Sequence, residues 1–554
     1  GYLEFEREQI YFNSKTYNLN AAFSWKPVKG LHVDFQAEFI DFDEIPSRTA
    51  AFVSLGSGTS RVVDEYNRRR HDRNFTYNGP YARNKRETAI STAYVTAELA
   101  ESLTLRVGGY ASHQSADTNG ILNAFGLSTN ESANVGYTIN DSTDKSWAYK
   151  LDLLHRLNLR GFSLNSLVGY EEHFDDGSYG TLETDPALVP LVVTIPFTRA
   201  TVKSDWPAPP ARNLYTRLSA QGASEIQWSN LRFTQYGETP NGRGSLLWGV
   251  AYGEGESTAA NNLNQTSSTN EGDEVTYTAG ASWKVYEAEE KFLNRVTLFA
   301  NYATSFQIQG GNAQDPKIFE GFSTVEELQA FIDNLPANTI DPQTGNGYEA
   351  GLRLEMLKKK LAISVSYFDQ SRENIARTFF VRASIVPGVA DERVLAFYQL
   401  ASGEENSKGV DLSVYWQPTP NLSFTADAMF SNGRVISNTG APEEEGLGLV
   451  RSPENTVFVW GKYDFKDGPL SGLTLGLGAS YRSPTRVQPN LNDLYRFSSE
   501  YTVARAMIGY RYRLFDRQHA ITLNAENLFD EEYVDEANFL SEPFLLRLMY
   551  SIDW

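Results

Sequence analysis

Polar and apolar positions of this chain alternate with a period of two over most of its length. In "TYNLNAAFSW", Tyr17, Leu19, Ala21, Phe23 and Trp25 share one face, and Asn18, Asn20 and Ser24 the other. The turn "KPVKG" follows. "LHVDFQAEF" then sets Leu31, Val33, Phe35, Ala37 and Phe39 against His32, Asp34, Gln36 and Glu38. Two such runs about a tight turn predict a β-hairpin with one dry side and one wet side. The pattern persists to the last residue, where "FLLRLMYSIDW" alternates Phe544, Leu546, Leu548, Tyr550, Ile552 and Trp554 with Leu545, Arg547, Met549, Ser551 and Asp553. Chain ends usually fray into small polar residues. This one reads as a strand.

Between these ends the spacing predicts further hairpins at 87–99 with 103–113, 146–158 with 162–174, 213–229 with 243–252, and 274–286 with 295–306. Four more follow at 346–357 with 361–377, 394–416 with 422–434, 453–465 with 472–484, and 500–513 with 519–529. A closing strand spans 543–554, for about 19 strands in all. Short turns alternate with long polar loops, among them 43–86, the stretch after 113 up to Lys145, and the stretch after 174 up to Asn213. Transmembrane barrels have this asymmetry, with tight turns at one end and long loops at the other. A soluble sandwich does not sort its loops in this way, and a propeller would repeat every ~40–50 residues. The expected fold is all-β, a transmembrane antiparallel β-barrel occupying 1–554. An even strand number is the rule for such single-chain barrels, so an odd count implies strands missing at the front. Three more give an expected 22. The chain also opens on Gly1 with no methionine or signal peptide, which reads as a processed or truncated piece. One helix is expected inside a loop, at "STVEELQAFIDN". Thr324 is its cap, Glu327 closes the capping box, and Val325, Leu328, Phe331 and Ile332 form one face packed on the loop itself.

Composition sharpens this picture in three places. No stretch approaches the ~18 unbroken apolar residues of a membrane helix, a test that barrel strands of ~9–11 residues escape. Aromatic residues make up 13% of the chain, with 30 Tyr and 32 Phe, enough for interfacial girdles. Net charge is -20, which argues against nucleic acid as a partner, and the absence of cysteine excludes disulfides and thiolate metal sites.

Candidate chemistry is sparse. His32, His71, His113, His155, His173 and His519 fit no zinc or H-E-x-x-H spacing, and there is no nucleophile elbow. No catalytic, metal or cofactor residue is assigned. The "GLGAS" glycines have no βαβ unit around them and carry no dinucleotide signal. His32 and Asp34 share the wet face as a solvated pair. The loop "DEYNRRRHDRNFTYNGPYARNKR" sets Arg68, Arg69, Arg70, His71 and Arg73 among Tyr66, Phe75, Tyr77 and Tyr81. Cations among aromatics suit an anionic chelate or a sugar acid, through charge-assisted bonds and stacking. They suit lipopolysaccharide phosphates or acidic loops as well. Phe306, Gln307 and Gln309 in "SFQIQGGNAQ" are further ligand candidates at the mouth.

Several stretches, in order, resemble TonB-dependent outer-membrane receptors. "ENLFDEEYVDEANFL" is similar to that family's Asn-Leu-Phe-Asp signature, here Asn527, Leu528, Phe529 and Asp530, with Tyr533 shortly after. "GNGYEAGLRLEMLKKKLAISVSYFDQSRENI", "GEENSKGVDLSVYW", "SPENTVFVWGKYDF" and "ANYATSF" resemble its other barrel strands. The resemblance is strongest from Val296 to Trp554 and weaker back to Tyr17. It implies an outer-membrane receptor importing a scarce nutrient, most often an iron–siderophore complex, rather than a passive porin or a surface-binding barrel. It implies the TonB complex as a partner acting through an N-terminal plug, which nothing in this chain resembles. Outer-membrane lipid, lipopolysaccharide and a small-molecule ligand are the other implied contacts. The closing strand, with Tyr550, Ile552 and Trp554, resembles the signal read by the barrel-assembly machinery.

Overall fold

The computed structural model describes residues 2–6, 13–45, 54–55, 62–63, 81–129, 132–185, 192–196 and 208–553, apart from 264, 337, 392, 488–496 and 537–540. These residues form a single antiparallel meander in which nineteen long strands pair mostly with their neighbours in sequence. It runs from Asn13–Val28 to Leu545–Asp553. The short segment Tyr2–Glu6 pairs with the outer end of the first long strand. Val192–Pro196 likewise pairs with the far end of Ser132–Leu159. Among the described residues the last strand pairs with Arg517–Glu526, and no ladder joins it to Asn13–Val28. No helix among the described residues is long and apolar enough to cross a membrane.

Opposed residues in an antiparallel ladder point to the same side of the sheet, so the faces can be followed from strand to strand. One row runs Trp25, Val33, Val95, Val107, Leu151, Tyr170, Leu231, Tyr252, Val275. A second runs Trp283, Leu298, Leu352, Val365, Leu412, Ala428, Val457, and a third Leu475, Ile508, Leu523, Leu548. The intervening positions pair polar with polar, as in Asn20 with Glu38, Ser24 with Asp34, Asn301 with Glu349 and Asn524 with Arg547. The alternation therefore sorts as expected. Phe23, Trp25, Phe35, Leu298 and Leu548 stand on the apolar outer face; Asn20, Asp34, Asn301 and Arg547 face the lumen. Tyr550 and Ile552 also lie outside, whereas Trp554 falls beyond the described residues.

Lumen polarity is organised as ion pairs across strands. Arg232 reaches Asp152 at 2.8 Å and Glu171 at 3.2 Å, and Lys150 lies 3.8 and 3.7 Å from the same two carboxylates. Gly169 lies between Asp152 and Arg232 in register, and a Cβ there would meet Asp152 Oδ1 at 2.7 Å. His32 and Asp34 pair at 3.2 Å on this face.

The expected long loop from 113 to Lys145 is not a loop. Leu103–Thr129 and Ser132–Leu159 continue through it as one ladder, out to the pair Thr129 and Ser132. Phe162–Thr184, Tyr215–Glu238, Gly244–Asn261 and Thr266–Glu287 likewise outrun the sequence reading. Ser132–Leu159 has 28 residues, about 17 more than a tilted strand needs to cross a bilayer. Beyond the bilayer the faces no longer divide into lipid and lumen, so the period-two apolar signal disappears, and strand and loop read alike. By contrast, Asn455–Asp464, Leu473–Arg482 and Arg517–Glu526 have 10 residues each, the bare spanning length. One sector of the wall thus stands far higher than the other.

The face assignment has a direct test. Leu548 is 68% exposed on the outer face, so Leu548→Arg should destabilise the protein by about 2–4 kcal/mol if it lies near the bilayer midplane. Denaturant unfolding in lipid vesicles measures this. An equal loss from Asn524→Arg, on the lumen face, would contradict the assignment.

Candidate functional site

The long-loop end of the lumen holds a polar cavity of about 740 Å³, within the size range of small-molecule sites. Seven consecutive strands build its wall, from Gln343–Met356 round to Tyr501–Leu514. One side is acidic. Glu349 accepts a bond from Asn301 Nδ2 at 3.0 Å, Asp427 accepts one from Ser413 Oγ at 2.7 Å, and Asp411 lies with them. None of these three carboxylates makes an ion pair with another described residue. The other side carries both cations, Arg505 donating to Ser480 Oγ at 2.8 Å and Arg482 paired to Glu536, with Asp535 beside them.

Loop 527–544 forms part of this cavity, and the Asn-Leu-Phe-Asp signature is what shapes it. Asn527 is 5% exposed and adopts φ 48°. Its Nδ2 donates to Glu531 O at 2.9 Å and Glu542 O at 2.8 Å, while its Oδ1 accepts from Glu531 N at 2.8 Å. Asp530 Oδ1 accepts from Phe544 N at 2.7 Å. One carboxamide and one carboxylate so close both ends of the loop, and Tyr533 is thereby laid on Tyr501 with ring centroids 3.8 Å apart. Burial pushes the Tyr533 phenol above its ordinary pKa. Burial also opposes ionisation of Glu536, but its own backbone amide and the Arg482 guanidinium outweigh that, and its carboxyl is held below the usual value. Tyr501 donates to Glu536 at 3.2 Å. The pattern carried this loop as a resemblance; the hydrogen bonds supply its reason.

A second loop layer lies beside the mouth. The helix Val325–Asp333 forms as expected, with Thr324 Oγ1 accepting from Glu327 N at 3.2 Å. Glu327 returns its bond to Ser323 N, one residue before the cap. Leu328 is fully buried against Phe319, Val381, Val386 and Tyr398, with Val325, Phe331 and Ile332 packed at the edge. The helix therefore packs on its own loop and on the neighbouring hairpin. The loop itself folds over lumen glycines. Ile308 lies 2.5 Å from where a Cβ on Gly255 would stand, and Pro342 lies 2.3 Å from that of Gly272.

The sequence candidates are placed as follows. Tyr66, Arg68, Arg69, Arg70, His71, Arg73 and Tyr77 lie outside the described residues. Tyr81 directly precedes buried Ala82 at the start of Arg83–Ala100. Phe306 packs half-buried over Gly253, and Gln307 is exposed beside it. Gln309 donates to Asp341 O at 2.8 Å and Asn374 O at 2.6 Å and accepts from Ala376 N at 2.7 Å. Its amide is engaged in joining its own loop to the strand Leu361–Arg382. Arg482, Arg505, Tyr501 and Glu536 were not singled out from the sequence, because residues so far apart share a site only through the barrel's curvature. No group of three or more His, Asp or Glu able to hold a metal occurs among the described residues.

Comparison with known proteins follows this geometry. The family described as "TonB dependent receptor-like, beta-barrel" matches residues 16–528. The ferrioxamine B receptor of Salmonella typhimurium is 28% identical over 238 residues, 42% of this chain and 31% of that protein. The ferrichrome outer membrane transporter/phage receptor of Escherichia coli is 23% identical over 244 residues, 44% of this chain and 27% of that protein. The matches span less than a third of these relatives' lengths. Among solved structures, the ferric preacinetobactin receptor BauA of Acinetobacter baumannii gives a TM-score of 0.77 at 12% identity, over 100% of this chain and 74% of that one. The pyoverdine receptor FpvA of Pseudomonas aeruginosa gives 0.74 at 16% identity, over 100% and 73%. Identities this low carry the fold.

Two outcomes are expected for loop 527–544. Asn527→Ala strands buried backbone groups at both ends and should cost on the order of 3 kcal/mol, read as faster amide exchange across the loop. The depressed Glu536 carboxyl stabilises the loop above the ordinary glutamate pKa of ~4.3, and that contribution fades as pH falls through the lower folded value. Amide exchange of 531–536, corrected for intrinsic rates, should lose protection at low pH. In Glu536→Gln the pH dependence should flatten; a variant retaining it would refute the pairing.

Proposed function

The chain belongs to the TonB dependent receptor-like β-barrel family, and from that premise we propose that it is the barrel of a receptor for energy-coupled uptake across the outer membrane. Its cargo is an iron–siderophore complex or a related anionic metal chelate. The supporting observation is the lumen cavity, where Arg482 and Arg505 stand beside the Tyr501–Tyr533 stack. Guanidinium groups grip oxyanions bidentately, and aromatic faces suit the planar donors of a chelate. The curated relatives carry ferrioxamine and ferrichrome in their names, which favours a chelate over the unselective solutes of a porin.

The TonB complex is the energy source in this reading, engaged through the plug region of such receptors. The barrel-assembly machinery reads the closing strand with Tyr550, Ile552 and Trp554. The loop cations from Arg68 to Arg73, with Tyr66, Tyr77 and Tyr81, make the first contact with cargo or with lipopolysaccharide.

Deletion of the gene should abolish growth on one or a few ferric chelates from a panel while sparing the rest. Loss of uptake of unrelated small solutes instead would identify a porin. Within the complementing protein, the double change Arg482→Gln and Arg505→Gln should weaken cell-surface binding of that chelate at least about tenfold, since bonds to charged groups are worth about 1.5–3 kcal/mol. Unchanged binding would remove this cavity from the cargo path.

A further inference from the structure

The outer face carries a groove of about 560 Å³ at the short-turn end of the wall. Ala281 and Ala300 form an exposed floor, and Leu164, Leu246, Trp283 and Leu298 rise around it. All six lie on the lipid side by register. The Trp283 ring lies over Gly244, where a Cβ would stand 2.4 Å from it, so the glycine lets the indole lie flat. An apolar groove of this kind in a lipid-facing wall takes an acyl chain.

Charge at its mouth is what singles it out. Three short turns converge there: 160–161, 239–243 and 288–292. The first two touch, since a Cβ on Gly161 would meet Pro240 at 3.0 Å, and Lys284 N donates to Arg243 O across to the third hairpin at 2.8 Å. Each turn presents one exposed cation: Arg160, Arg243 and Lys291. None of them makes an ion pair among the described residues. Neighbouring acids are mostly committed. Glu238 accepts the Tyr236 hydroxyl at 2.7 Å, Glu287 is held by Arg295 at 2.8 Å and Glu290 by Lys358 at 3.0 Å. Glu238, whose bond to a hydroxyl leaves its charge in place, and Glu289 are left against three cations.

The geometry points to a binding site for an anionic phospholipid of the periplasmic leaflet, its acyl chain in the groove and its phosphate among Arg160, Arg243 and Lys291. Short turns mark the periplasmic end of such barrels, so the groove opens to the phospholipid leaflet rather than to lipopolysaccharide. Surface cations attract anionic headgroups by about 1 kcal/mol each. The site is independent of the cargo.

Trp283 provides the readout. The protein, purified from outer membranes, is reconstituted into phosphatidylcholine vesicles holding the same small fraction of either brominated phosphatidylglycerol or brominated phosphatidylcholine. Bromine quenches an indole it touches, and subtracting a Trp283→Phe variant isolates the groove from the other tryptophans. The anionic probe should quench Trp283 several-fold more than the neutral one, and raising salt should erase the preference in the unmodified protein. Changing Arg160, Arg243 and Lys291 to Gln should abolish the preference, with heat-modifiable gel mobility confirming folded barrels. Equal quenching by the two probes would overturn the site and leave only bulk lipid contact. A preference surviving in the triple variant would overturn the assignment to these turns.

Discussion

Hydrocarbon offers a backbone amide no partner, and the rest of this structure follows from that. Each unpaired N–H or C=O in lipid costs several kcal/mol, so every spanning segment must be a strand bonded to its neighbours. A strand has two faces, and the bilayer makes them unequal. The rows from Trp25 to Val275 and from Trp283 to Val457 are the outcome: apolar residues opposite apolar residues, carried across ladder after ladder without a change of side. A one-residue slip anywhere would turn every later side chain over. The turns keep that register. The tight ones, such as 29–30, 101–102 and 515–516, leave no slack in which a slip could hide.

Where water returns, the constraint changes from ladders to single side chains. Loop backbone groups still need partners once packing buries them, and here carboxamides supply them. Asn294, 2% exposed, donates to the carbonyls of Ala288, Glu289 and Lys291 and accepts from Lys359 N, tying two periplasmic-side turns together. Asn270, 1% exposed, does the same between Gly311 and Ile340. Asn527 and Gln309 repeat the device. A carboxamide offers two donors and an acceptor on one rigid plane, so it can close a loop that has no sheet to lean on. Aspartate in its place would lose the donors and bury a charge.

This division explains which parts were legible in the sequence. The membrane-spanning halves of the strands were, because lipid writes a period of two into the chain. The upper parts of Leu103–Thr129 and Ser132–Leu159 were not, because beyond the bilayer no lipid face writes a period into the strand. The helix at Val325 was legible through its cap and its apolar stripe, both of them local signals. Gln309 shows the opposite case. An exposed-looking amide beside glycines suggests a ligand contact, yet its partners, Asp341, Asn374 and Ala376, are distant in sequence and only the folded loops bring them together. The same holds for Arg482, Tyr501, Arg505 and Glu536, each unremarkable on its own strand.

The charge balance has to be read at the same local scale. A chain with net charge -20 repels an anion at long range, so steering by the whole-molecule field works against an anionic cargo. Screening limits that field to about 8 Å at physiological ionic strength. Inside the cavity, the distances that matter are shorter than that. Arg482 and Arg505, with Asp535 and Glu536 beside them, stand on one wall and Glu349, Asp411 and Asp427 on the other, so both cations are concentrated on one side of the site. On the proposed reading, a chelate with an anionic edge and a less charged back is oriented in this site, not merely held. Capture by such a site depends on contact geometry rather than on attraction from afar, and Glu536 already occupies one face of Arg482. An incoming oxyanion has to meet that guanidinium from its other side or displace the glutamate, which links occupancy of the cavity to the position of loop 527–544.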